Sequence, residues 1–435
     1  MKIRNLVAAA LAAALAAAFL CTCAFAGDVP TEDLAVRAVS EDTATASESI
    51  AALREMGPAG LDVLFTKYSP EIDRFARNGE PEENWKRIAN ALDTVAMQKD
   101  AYASHLYWYT DLEDAKRAAL KENKPILSLR LLGNLSEEFS CANSRLFRAI
   151  LYPNAEVSKY LRDNYILHWR SVRPAPKVTI DFGDGRKIER TLTGNSIHYI
   201  LTPQGEIIDA LPGLYGPQAF LKYLAGADRV NKQLSSALPK DREKTMMKYR
   251  KATFDKIVKD RDAAVMSGKV ALTEPKDTTT ALDVEPRAMA KAVVVDEVSI
   301  LRLYDAFAKY EPQIDNADWS KLAEIYSPSP KIDANSISFI RRQNAKTGLS
   351  GADFVGLFTK LENFISLDTT RNDFLFHTKL YQWLNDGNTG DIETFNTRVY
   401  ARIFKTPNTD KWLGLYSPDI YTALDGNGFI DSPSQ

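Results

Sequence analysis

The chain has 435 residues, 45% hydrophobic and 26% charged, which is the make-up of a folded globular protein and excludes disorder as its main state. Its 55 basic residues are balanced by 57 acidic ones, a net charge of −2. No basic surplus is left to attract a phosphate backbone, so nucleic acid is not an expected partner.

Residues 1–26 have the three parts of a secretory signal. Lys2 and Arg4 precede an apolar run over residues 6–20, and Ala24-Phe25-Ala26 is a small-x-small cleavage pattern. The sequence predicts a cut after Ala26, a periplasmic or secreted protein, and no stable membrane span once the signal is removed. A lipoprotein signal fits less well, because Leu20 precedes Cys21 and Thr22 precedes Cys23. Cleavage removes both of these cysteines and leaves Cys141 alone, so the mature chain has no internal disulfide and is held by packing.

Residues 27–107 read as a helical N-terminal segment. Ile50, Leu53, Leu61, Leu64 and Phe65 recur at helical spacing, with Gly57-Pro58 as a break. Residues 108–228 read as alternating helix and strand. Thr110 and Glu113 form a capping box for a helix through Ala115, Ala118 and Ala119, which Pro125 stops. A strand follows over 126–132, then a short helix with Leu146, Phe147 and Ile150, a turn with Val157 and Leu161, and a strand over 165–170. One hairpin pairs 178–180 with 187–192 around Gly183-Asp184-Gly185. A second pairs 197–201 with 206–210 around Pro203-Gln204-Gly205, and a helix over 217–224 closes the unit. That order suits a small α/β sheet covered on both faces.

Residues 229–294 read as a charged, solvated helix over 244–262 and a linker. Residues 295–435 read as an all-α domain. Its apolar spacing runs through Ile300, Tyr304 and Phe307, then Phe354, Leu357, Phe358, Leu361 and Ile365, then Phe374, Tyr381 and Leu384. Pro407, Trp412, Leu413, Tyr416 and Pro418 mark an aromatic-anchored tail.

Four phrases in the middle region carry a resemblance. Lys124-Pro125-Ile126-Leu127, Cys141-Ala142-Asn143-Ser144-Arg145, Val157, and Leu201-Thr202-Pro203-Gln204-Gly205 resemble the thioredoxin superfamily over about residues 112–224. The expected fold is therefore an α/β thioredoxin-like domain flanked by an N-terminal helical segment and a C-terminal all-α domain. The resemblance implies that Cys141 stands where the family has its nucleophile, at a helix start that favours a thiolate. It puts Ser144 in place of the resolving cysteine and Ser196 in place of the cis-proline. A hydroxyl cannot complete thiol exchange, so a dithiol cycle within this chain is excluded. Monothiol chemistry stays open, either a mixed disulfide with a partner or a sulfenic acid. His198 shares a strand face with Ser196 and could reach Cys141 as a base. Glu137 and Glu138, in an extension before Cys141, would oppose a thiolate.

The alternative is that Cys141 is a small buried hydrophobe. The domain is then a non-catalytic binding or scaffold platform acting through the helical C-terminal domain, and whether the protein is an enzyme is left open. Either reading expects another envelope protein as partner. No cofactor motif is present. His105, His168, His198 and His377 lack metal-ligand spacing, and Asp425-Gly426-Asn427-Gly428 lacks a closing acid for calcium. Arg170 and Arg173 read as a solvated loop or as a carboxylate site.

Overall fold

The computed structural model describes residues 30–270 and 316–404, apart from 80, 82, 192, 193, 329, 388 and 389, together with 406, 409 and 423. The proposed signal, Ile300, Tyr304, Phe307, the tail residues Pro407, Trp412, Leu413, Tyr416 and Pro418, and the Asp425 loop lie outside the described residues.

Five helices open the chain: α1 (Thr31–Ala38), α2 (Thr43–Glu55), α3 (Pro58–Lys67), α4 (Ser69–Asn78) and α5 (Trp85–Ala96). Their buried side chains, among them Leu53, Leu61, Leu64, Ile88 and Leu92, form an apolar cluster of their own. Gly60 lets α2 and α3 close. A Cβ there would stand 1.9 Å from the Leu53 carbonyl oxygen, which no residue but glycine permits.

The α/β region follows. Helix α6 (Leu112–Glu122) leads into β1 (Ile126–Leu132), and α7 (Ala142–Leu146) runs on into a π-helical segment (Phe147–Leu151). Then come α8 (Ala155–Asn164), β2 (Ile166–Arg173), the hairpin β3 (Lys177–Asp181) and β4 (Lys187–Thr191), β5 (Ser196–Leu201) and β6 (Ile207–Pro212). The α6 start differs from expectation. Asp111, and not Thr110, is the N-cap, its carboxylate accepting from the amides of Glu113 and Asp114 at 2.8 and 3.0 Å. A carboxylate there satisfies two orphan donors and also carries the charge that a helix N-terminus favours.

The main sheet has the order β2-β1-β5-β6, and β3 and β4 form a separate exposed ribbon. β1 runs parallel to β2 and antiparallel to β5, which is antiparallel to β6. All seven β1 residues are buried, polar Ser128 and Arg130 among them, because the strand lies inside the sheet between β2 and β5. Gly183 and Gly185 supply the positive φ angles, 75° and 92°, of the β3–β4 turn.

The closing helix, α9 (Pro217–Ser235), runs eleven residues past the expected end at Leu224. Helix α10 (Pro239–Gly268) covers the charged stretch, yet it is not simply solvated. Met246, Arg250, Ile257 and Ala264 are buried along one face, so the polar composition describes only the opposite side. The C-terminal helices are α11 (Asn316–Tyr326), α12 (Ala334–Gln343), α13 (Gly351–Arg371), a second π-helical segment (Asn372–His377), α14 (Thr378–Asn385) and α15 (Ile392–Arg402). One apolar cluster runs from Leu106 through the sheet to Phe404, so the sheet and the C-terminal helices share a core. The architecture is thus a mixed four-stranded sheet in a mainly helical chain. No described helix is long and apolar enough to cross a membrane.

Candidate functional site

Cys141 is the N-cap of α7, and its amide donates to the Leu132 carbonyl at 2.9 Å, which ties the helix start to the end of β1. The side chain is 0% exposed. Sγ lies 3.6 Å from Ser144 Oγ and 3.6 Å from the Asn195 carbonyl oxygen. Ser144 Oγ is itself 2.6 Å from Ser140 Oγ and 2.8 Å from the Cys141 carbonyl. From the far end of the chain, Tyr400 on α15 donates its hydroxyl to the same Asn195 carbonyl at 3.2 Å, and Asn195 Nδ2 donates to Thr406 Oγ1 at 3.1 Å. The C-terminal region therefore covers the thiol. A sulfur enclosed in this way has no line of approach for a second sulfur.

Cys141 and Ser144 are thus brought together; Ser196 follows the Asn195 whose carbonyl the thiol meets, and the polar contact of His198 lies with another residue. Ser196 opens β5, and its buried Oγ has no hydrogen-bond partner among the described residues. His198 pairs with Tyr152, Nε2 lying 2.9 Å from the hydroxyl, and its ring packs on Phe147 and Phe220 with centroids 4.6 and 5.1 Å away. Burial pushes its pKa down to about 3, so it is neutral and is spent on tyrosine instead of a thiol. Of the two glutamates, Glu137 accepts from Asn134 at 2.6 Å, and the Glu138 carbonyl accepts from buried Arg148 at 3.1 Å.

Arg170 does meet a carboxylate, supplied by the chain itself. Glu393 on α15 lies 3.4 Å from Arg170 Nη1 and 2.7 Å from Nη2 of fully buried Arg130 on β1. Beside it His168 Nδ1 faces Ser128 Oγ at 2.8 Å, and burial together with the two arginines pushes the His168 pKa down to about 3. This charged patch seats α15 on the sheet.

The sequence reading missed a second constellation. On β6, Asp209 Oδ1 stands 2.8 Å from His377 Nε2, while His377 Nδ1 stands 3.2 Å from Asp373 Oδ1. Tyr249 and Tyr381 donate to Asp209 Oδ2 at 2.6 and 2.9 Å, and Tyr223 and Tyr326 donate to the two oxygens of Asp373 at 2.8 and 2.7 Å. Burial alone would keep His377 neutral, but the facing carboxylates outweigh it and raise the pKa to about 9. For Asp209, burial works against the charge and the imidazolium overrides it, so its pKa is lowered. Both ring nitrogens therefore donate, and the group is a carboxylate–imidazolium–carboxylate chain. The second π-helical segment carries Asp373 and His377, and such segments recur at functional positions. One signal was legible: Asp209 is a lone acid within Ile207-Ile208-Asp209-Ala210-Leu211, where a buried charge needs a partner.

A cleft of about 440 Å³ opens onto this chain beside Asp373, Tyr223 and Tyr326. A larger one, about 680 Å³, lies between the N-terminal helices and α12, where burial pushes the Asp93 carboxyl up to about 6. Among the described residues no group of three His, Cys, Asp or Glu side chains could hold a metal ion. No known protein family, curated protein or solved structure matches this chain.

Proposed function

We propose that this is an exported, thioredoxin-like protein that works by binding a partner, with Cys141 serving packing and not chemistry. The thioredoxin-like assignment rests on topology together with the sequence phrases. A parallel β1–helix–β2 unit, an antiparallel β5–β6 pair, the strand order β2-β1-β5-β6 and a closing helix support that reading, while the β3–β4 ribbon, and no described helix, joins β2 to β5. The position of Cys141 at the start of the helix after β1 supports the same reading.

The observation that carries the binding reading is the enclosure of the thiol. Sγ is fully buried, and its neighbours are a serine hydroxyl and a backbone carbonyl that Tyr400 also engages. Neither neighbour stabilises a thiolate as a cation would. The test is thiol labelling of the mature full chain with Ellman's reagent at neutral pH. The expected result is slow labelling of native protein and immediate labelling in denaturant. Native labelling at a rate near that of the denatured chain would replace this reading with monothiol exchange. Export is checked separately by sequencing the N-terminus of the protein recovered from the envelope fraction, where Gly27 is expected.

A further inference from the structure

The cleft that opens onto Asp373 is bounded by α9, α10 and α11. Its volume, about 440 Å³, lies within the range of small-ligand pockets, roughly 300–1,000 Å³. The charged side chains lining it are Asp373, Asp260 and Lys222, a surplus of one negative charge. Alanines 219 and 263 leave it room, and the aromatic walls are Tyr223 and Tyr326.

Asp373 is 2% exposed, yet it lines the cleft. Its Oδ1 accepts from Tyr223 and faces His377, the Tyr215 hydroxyl also engages this carboxylate, and Oδ2 accepts from Tyr326. A carboxylate oxygen has two acceptor positions, and Tyr326 takes one of those on Oδ2. Behind it His377 is shared with Asp209, so the carboxylate is one end of a buried polar chain. Asp260 adds a second carboxylate to the wall, although Lys256 lies 2.6 Å from it. The tyrosine rings suit the same guest, because their faces are electron-rich and attract cations. Lys222 already holds its ammonium 5.9 Å from the centroid of the Tyr223 ring.

We propose that this cleft binds a small organic cation, with a primary ammonium group donating to Asp373 Oδ2 and its hydrocarbon part against Tyr223 and Tyr326. The site is separate from Cys141 and does not depend on the fate of the thiol.

The experiment is isothermal titration of the mature full chain with benzylammonium chloride, and with benzoate and benzyl alcohol as the anionic and neutral counterparts. Benzylammonium is expected to bind at least ten-fold more tightly than either counterpart. Ala263→Phe, which fills the cleft from an exposed helix position, is expected to weaken it ten-fold or more. Asp373→Asn is expected to do the same where circular dichroism shows it folded. Should that variant fail to fold, Ala263→Phe alone decides. Cys141→Ser is expected to leave the affinity unchanged. Absence of benzylammonium binding, equal binding of benzoate or benzyl alcohol, or unchanged affinity in Ala263→Phe would overturn the proposal.

Discussion

Cys141 and Tyr400 hydrogen-bond the same acceptor, the backbone carbonyl of Asn195, at 3.6 and 3.2 Å. The thiol belongs to the helix after β1 and the phenol to α15, so the C-terminal region forms part of the wall around the sulfur. A residue that would have to be exposed to work as a nucleophile is instead a joint between two parts of the chain.

Tyr400→Ala removes that wall. Truncating a buried aromatic side chain costs about 3–5 kcal/mol, and this one also takes away a donor to Asn195. Urea melts are expected to show a loss of that size, and labelling of Cys141 under native conditions is expected to rise at least ten-fold. A labelling rate equal to wild type would mean that Tyr400 does not guard the thiol.

The His377 pair predicts alkaline sensitivity. Its folded pKa of about 9 lies above the ordinary histidine value, so its stabilisation is complete below about pH 6.5 and is lost as pH rises through 9. The melting temperature of wild type is expected to fall between pH 7 and 9.5, a range that stops short of ordinary tyrosine ionisation. His377→Gln, less stable at pH 7 because it leaves Asp209 buried without its cation, is expected to fall less steeply than wild type over that range. Parallel curves for the two proteins would refute the charged assignment.

His198 and His168 work in the opposite direction. Both are held neutral, with pKa values near 3, whereas in the unfolded chain they protonate below about 6.5. Their contribution is therefore present above pH 6.5 and lost as pH falls. Each adds about 1.4 kcal/mol per pH unit to the slope between these limits. Asp93, raised to about 6, offsets part of this by taking up a proton early in the folded state. Comparison with His198→Gln cancels that offset. The variant's unfolding free energy, measured from pH 5.5 to 4, is expected to fall less steeply by about 1.4 kcal/mol per unit. Identical slopes would show that His198 titrates normally.

Two glycines should respond oppositely to the same change. Gly60→Ala drives a methyl into the Leu53 carbonyl and is expected to cost about 1–3 kcal/mol. Gly356 lies inside α13 with nothing within 4 Å of the added carbon, so Gly356→Ala is expected to stabilise by about 0.5–1 kcal/mol. Thermal melts of the two variants shifting in the same direction would contradict this.

The secondary structure of the α/β region was largely legible. β1 is leucine-rich and broken only by Ser128 and Arg130, the two hairpins carry their turn glycines, and Pro125 ends the α6 pattern just before β1. The extent of α9 and the buried face of α10 were not legible. Charged residues dominate the composition of α10, and its apolar positions are too widely spaced to stand out. Of the site residues, the Cys141–Ser144 neighbourhood follows from three-residue spacing at a helix start. The His198–Tyr152 bond joins residues 46 apart, and periodicity gives no hint of it.

The sequence by itself determined where most helices and strands of the α/β region lie and the serine that stands three residues after Cys141. These are local properties, set by side-chain spacing, turn chemistry and residue identity. Only the tertiary structure decided that the thiol is enclosed and that Arg130 is neutralised by Glu393. It also decided that Asp209 meets His377 across 168 residues of chain. A buried charge must find its counter-charge wherever packing brings one, and no local pattern records which distant residue that will be.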